Sequence, residues 1–176
     1  MGIVATRLER VRPLPGDELV AAAKLNTTHA ISIRAAAADV WPWLVQMGQG
    51  RGGLYSYTWI ENWIGCRMRN ANRIHPEWQT LSVGDEVSLH PKASPLLVAA
   101  LCVNQHLVLQ SSAGFPWSWA FVLSDSGEEH CHLLVRTRVG WSNPVLSLFL
   151  WPVMGPGHYV MERKMMHGIR VRAERL

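Results

Sequence analysis

Residues 117–139 read WSWAFVLSDSGEEHCHLLVRTRV, two stretches of strict alternation on either side of a polar, glycine-containing turn. Trp117, Trp119, Phe121 and Leu123 fall on one face of the first stretch, and Ser118, Ala120 and Val122 on the other. In the second, Leu133, Val135, Thr137 and Val139 alternate with Arg136 and Arg138. A period of two marks strands of a sheet with one buried face, and so short a connection joins antiparallel neighbours. The aromatic stripe is expected to face inward and the two arginines to face solvent.

Upstream, runs at 86–90, 96–103 and 106–111 with turn-length connections extend this hairpin into an antiparallel meander. Downstream, a helix is expected from about Pro156, a good first-turn residue, to near Arg175. At 100° per residue, Tyr159, Met165, Met166, Ile169, Ala173 and Leu176 share one arc, with Arg163, Lys164, Arg170 and Glu174 at its edges or beyond. Glu162 falls in the middle of that apolar arc. A carboxylate facing an apolar sheet must be paired, hydrogen-bonded or protonated, so Glu162 is the first candidate for a functional group, with a structural ion pair as the competing role.

The N-terminal half reads differently. Residues 27–34 form a half-buried strand with His29, Ile31 and Ile33 on one face, and residues 36–47 form a helix in which Pro42 is tolerable only in the first turn. The glycines at 48, 50, 52 and 53 end that helix. A second short helix starts at Thr58, because Thr58-x-x-Glu61 has capping-box spacing, which makes Glu61 a cap; Trp59 and Trp63 then stand one turn apart. Residues 41–65 contain four tryptophans and two tyrosines, more aromatic surface than a short helical hairpin needs. Such a block fits either a well-filled core or the wall of a ligand cavity. Gly48-Gln-Gly50-Arg-Gly-Gly53 matches G-x-G-x-x-G but follows a helix and precedes an antiparallel sheet, the wrong setting for a dinucleotide site. Arg51 within it is placed either to cap the preceding helix or to guard a cavity mouth.

Composition narrows the function classes. Of 176 residues 48% are hydrophobic and 17% charged, below the roughly 25% usual for soluble chains, so apolar side chains must be buried or line something. The length fits one domain, residues 21–176, preceded by a partly ordered arm over residues 1–20. The net charge of +4 has no interior basic block, a weak basis for nucleic-acid binding. Cys66, Cys102 and Cys131 lack C-x-x-C spacing, and the N-terminus lacks an apolar signal region, so a reduced, cytoplasmic setting is expected. The apolar run at 145–153 is too short to span a bilayer, although beside a basic helix face it suits a weak membrane-surface contact. His130-Cys131-His132 could chelate a metal across one strand face but has no evident third ligand, so no metal is assigned. There is no nucleophile elbow.

The order of elements, together with THAISIRAAAADVWPWLVQMGQGRGGLYSY (28–57), NRIHPEWQTLSVGDEV (72–87), SWAFVL (118–123), LLVRTRV (133–139) and GHYVMERKMMHGIRVRAE (157–174), resembles the SRPBCC superfamily. These are the START and Bet v 1-like helix-grip proteins, and the likeness is to their polyketide cyclase/dehydrase-like branch. The resemblance implies an α+β fold, a curved antiparallel sheet wrapped around a long C-terminal helix with two short helices after the first strand. It also implies a deep, mostly apolar cavity between sheet and helix. A hydrophobic small molecule, planar or polycyclic, is the expected partner, held by Trp41, Trp43, Trp59, Trp117, Trp119, Phe121, Tyr159, Met165 and Met166. Arg73 and His75, in a loop after the second helix, would neutralise Glu162 or receive a polar head. A carrier or sensor comes first. The alternative is a cyclase, dehydratase or isomerase that needs no cofactor, with Glu162 as general acid or base and Tyr55, Tyr57 or His75 donating to a substrate carbonyl.

Overall fold

The sheet is built from β1 (Leu25–Ile33), β2 (Glu86–Val87), β3 (Leu96–Cys102), β4 (His106–Ser111), β5 (Trp117–Asp125) and β6 (Cys131–Val139). The structure, a computed structural model, describes residues 3–127, 129–140 and 144–175, and the side chains of its last helix from residue 155. All neighbours are antiparallel, in the order β1-β6-β5-β4-β3-β2, so the first strand returns to pair with the last. The register aligns His29, Val135 and Phe121 in one cross-strand row and Thr27, Thr137 and Trp119 in another, with the β6 residue in the middle of each. A shift in register between Val98 and Ala100 bulges the ladder, a device that bends a sheet.

The inner face carries the main core. Ile31, Ile33, Leu107, Leu109, Trp119, Phe121, Leu133 and Val135 pack there with Met165, Met166, Ile169 and Ala173 of the last helix, as the wheel and the alternation require. That helix, α4, spans Pro144–Ala173 and so begins a full twelve residues before the expected start at Pro156. Pro156 is interior to it, not a first-turn residue. The apolar run at 145–153, on which the membrane-surface expectation rested, has side chains outside the described residues.

Helix α2 (Ala37–Val45) lies against α4, burying Val40, Trp41, Trp43 and Leu44. Pro42 sits in its second turn, beyond the expected limit, and its carbonyl accepts from Gln46 N at 3.2 Å and from the Gln79 side chain at 3.3 Å. Helix α3 is Thr58–Trp63. Its expected capping box is absent: Thr58 is already helical, Tyr57 precedes it without a side-chain cap, and Glu61 is turned inward and buried.

The outer face differs most from expectation. Arg136 and Arg138 do not face solvent, because residues 3–20 lie across that side of the sheet. This segment holds helix α1 (Arg7–Val11), closed by a Thr6–Glu9 capping box, and a 3-10 turn at Asp17–Val20. Arg136, 2% exposed, uses all five N–H bonds: to Thr28 Oγ1, to the carbonyls of Glu9, Arg10 and Arg12, and to Asp17 Oδ2 at 2.7 Å. Arg138 donates to the carbonyls of Val20 and Ala21. Alternation had identified the face correctly; the covering segment lies more than a hundred residues away in sequence.

Candidate functional site

Glu162 projects from α4 onto the inner face and is 2% exposed. His29 Nδ1 of β1 stands 3.1 Å from its Oε1, a hydrogen bond in which the imidazole donates when Glu162 is a carboxylate. His158 Nε2, one turn earlier on α4, lies 3.0 Å from Oε2 but off the line a hydrogen bond needs, and 3.2 Å from Thr137 Oγ1. The carboxylate is therefore bracketed by two imidazoles whose side chains are partly exposed, 16% and 27%, which connect it to the edge of the structure. The Tyr159 ring stands against His29, with centroids 5.3 Å apart.

The wall beside this cluster is aromatic. Trp117 stacks on Trp119 at 6.0 Å, and Trp119 leans on Phe121 at 4.7 Å. Among the described residues, the buried indole N–H groups of Trp43, Trp117 and Trp119 and the Thr27 hydroxyl find no hydrogen-bond partner. Buried polar atoms are rarely left so, and here Thr27, Thr137 and Trp119 share one cross-strand row. Trp117 also lines a cleft of about 280 Å³ with Leu19, Val20, Gln110, Ser111 and Pro116 at the rim of the sheet.

The deep end of the same helix is closed. Gly168 brings the α4 backbone against Tyr55 so tightly that a Cβ there would collide with the Tyr55 carbonyl oxygen. Tyr55, held at φ 56°, donates its hydroxyl to Trp43 O at 3.0 Å, packs edge-on against the Trp43 ring, and lies under the Arg172 guanidinium. Burial raises its phenol pKa well above the ordinary value. Met165 and Met166 are buried in this closed packing, as are Trp41 and Trp43 from α2.

Other expected residues stand apart. Among the described residues the imidazoles at Glu162 are His29 and His158; His75 instead pairs with Glu77 at 3.1 Å and stacks on Trp78 at 4.2 Å. Arg73 is exposed. Their loop is pinned by Gln46, which is fully buried, accepts from His75 N and donates to Arg73 O. Tyr57 receives Lys164 over its ring, and Trp59 is on the surface. Arg51 takes the capping role, donating to Val45 O at the end of α2 and to Trp78 O. Glu61 has neither carboxylate oxygen bonded among the described residues, and burial raises its pKa. His132 pairs with Glu9 at 2.8 Å, and among the described residues no group of three or more His, Cys, Asp or Glu is placed to hold a metal.

His29, His158 and Thr137 were not expected at the site. Two signals pointed to them: the His158-x-x-x-Glu162 spacing, which stacks side chains one turn apart, and the inward parity of His29 and Thr137. Which rung of the sheet meets Glu162 depends on tertiary packing.

Solved structures agree with this architecture. The solution structure of the KanY protein superposes with a TM-score of 0.55 at 9% identity, over 85% of this chain and 97% of that one. Protein CV1439 from Chromobacterium violaceum gives 0.50 at 7%, over 85% and 97%. The chain has the helix-grip fold of START and Bet v 1-like proteins. A START superfamily protein from Mycobacterium smegmatis also matches, at a TM-score of 0.49 and 11% identity over 85% and 97%. No family model matches the sequence, and neither does any curated protein. At such identities the likeness concerns the fold alone.

Proposed function

We propose that the protein binds a hydrophobic, planar or polycyclic small molecule between the inner face of the sheet and α4, as a carrier or sensor. The observation that carries this reading is the unmatched polarity of the aromatic wall. The Trp117 and Trp119 indole N–H groups and the Thr27 hydroxyl oxygen are buried without partners among the described residues, on the sheet face that also meets the buried Glu162. Apolar rings with a few orienting polar groups are the usual make-up of a small-molecule site. A ligand with a carbonyl or hydroxyl on a flat apolar body supplies the missing acceptors. The three free cysteines fit a reduced, cytoplasmic setting. Native mass spectrometry of the purified protein, followed by extraction of any bound molecule, tests the reading. A bound polyketide, terpenoid or lipid is the expected result; an empty protein that also ignores a panel of apolar fluorophores would sink it.

A second reading rests on Glu162 itself. A carboxylate with an imidazole within 3.1 Å of each oxygen is equipped to take a proton from a bound molecule and pass it outward. This supports a cofactor-independent cyclase, dehydratase or isomerase acting on a carbonyl-rich, polyketide-like substrate. Because the Tyr55 hydroxyl is already committed to Trp43 O, the Trp117 and Trp119 N–H groups are the better donors to a substrate carbonyl. In this reading Glu162→Gln removes turnover while keeping ligand affinity within a few-fold. Equal turnover by the variant would remove Glu162 from the chemistry, whereas a parent protein that binds such substrates without turnover belongs to the carrier class.

A further inference from the structure

Helix α3 turns two large side chains away from the protein. Trp59 and Trp63, one helical turn apart, are 71% and 86% exposed, and Ile64 beside them is exposed as well. Scattered exposed hydrophobics are ordinary, but two tryptophans and an isoleucine within six residues form a patch. Core packing does not account for it, because the inward position on the same helix is taken by a carboxylate, Glu61.

The exposed charges within residues 58–76 are of one sign. From Thr58 to Pro76 the only acidic residue is Glu61, and it is buried. Arg67, Arg69 and Arg73 in the same segment are all exposed. The first of these is held next to α3 by the chain folding back: Asn62 accepts from Met68 N at 2.6 Å and donates to Met68 O, and Cys66 N bonds Glu61 O. A second connection approaches the same end of the helix, where His90 Nε2 lies 3.2 Å from Ile64 O, and it brings exposed Lys92 two residues on.

Tryptophan prefers the boundary between hydrocarbon and headgroups, where its ring is buried and its N–H stays hydrated. Basic residues beside it gain from the negative potential of an anionic leaflet. We propose that α3 and the loop after it are a docking surface for an anionic lipid bilayer, with Trp59 and Trp63 entering the interface and Arg67, Arg69 and Lys92 meeting the headgroups. The proposal uses no residue of the apolar run at 145–153, and it does not rest on the ligand-binding reading.

The test is co-sedimentation with vesicles of phosphatidylcholine alone and of phosphatidylcholine and phosphatidylglycerol in equal parts, repeated with lipids brominated along their chains. The protein is expected to bind the mixed vesicles, to bind the neutral ones at least about tenfold more weakly, and to lose fluorescence to the brominated lipid. The double variant Trp59→Ala/Trp63→Ala should weaken binding about tenfold and abolish the quenching, with an unchanged melting temperature because both rings are in solvent. Arg67→Glu/Arg69→Glu should release the protein from mixed vesicles while leaving both tryptophans in place. Three outcomes overturn the proposal: no binding to mixed vesicles, binding that survives the tryptophan substitutions, or self-association through the patch with no vesicle binding.

Discussion

The two faces of the sheet bury polar groups in opposite ways. On the outer face, the Arg136 guanidinium has a partner for every N–H, drawn from Thr28, Asp17 and three backbone carbonyls of the arm. On the inner face, Thr27, Trp117 and Trp119 hold polar atoms without partners among the described residues, and one oxygen of Glu162 is approached by His158 without being bonded. An unmet buried polar group costs about 1–3 kcal/mol, so the outer face carries a satisfied structural joint while the inner face carries an unmet cost, the feature on which the ligand-binding proposal rests.

Removing the joint should have the largest effect. Arg136→Met abandons Asp17 and four further acceptors, and a loss of about 3–5 kcal/mol in urea unfolding is expected, as for any broken buried pair. A loss below about 1 kcal/mol would mean that the arm is not held by this residue and that the contrast between faces is false. Next comes the closed end of the inner face: Gly168→Ala forces α4 away from Tyr55 and should cost about 1–3 kcal/mol in the same assay.

Glu61 sharpens the contrast through pH. Burial raises its pKa, so the folded state favours the protonated acid. Its ionisation therefore drains stability as pH climbs from the ordinary carboxylate range through the raised value, and not on the acid side. Glu61→Gln should match the parent protein in acid, below the ordinary carboxylate range, and exceed it increasingly as pH rises above that range. An advantage that instead appeared only in acid would reverse the assignment. The smallest effect is expected at Thr27→Val, where deleting an unpartnered hydroxyl should be neutral or stabilise by up to about 1 kcal/mol. That gain should vanish in protein carrying its ligand, if Thr27 is one of the groups the ligand satisfies.

Much of this architecture was legible because it depends on local periodicity. Alternation over 117–139 sets both faces of β5 and β6, and the helical wheel alone turns Glu162 toward the sheet. Periodicity, however, says which residues share a face and nothing of what covers it, so Arg136 and Arg138 read as a solubilising surface. Proline is a similarly local signal. Pro156 resembles a helix start because it lacks an N–H, yet α4 runs through it from Pro144. Thr58 and Glu61 had the spacing of a reciprocal cap, but the backbone turns helical one residue too early for Thr58 to serve as one. The site was half legible for the same reason: Glu162 follows from its own helix, whereas the meeting of His29 with Glu162 joins residues 133 apart in sequence.

Such separations also order events in time. Arg136 binds residues 9–17 across 119 to 127 residues, so one side of that joint is made long before the other. Contacts of this range close late, after the hairpins that present them. The arm is thus made well before the arginine that fastens it, and is among the last parts to be locked.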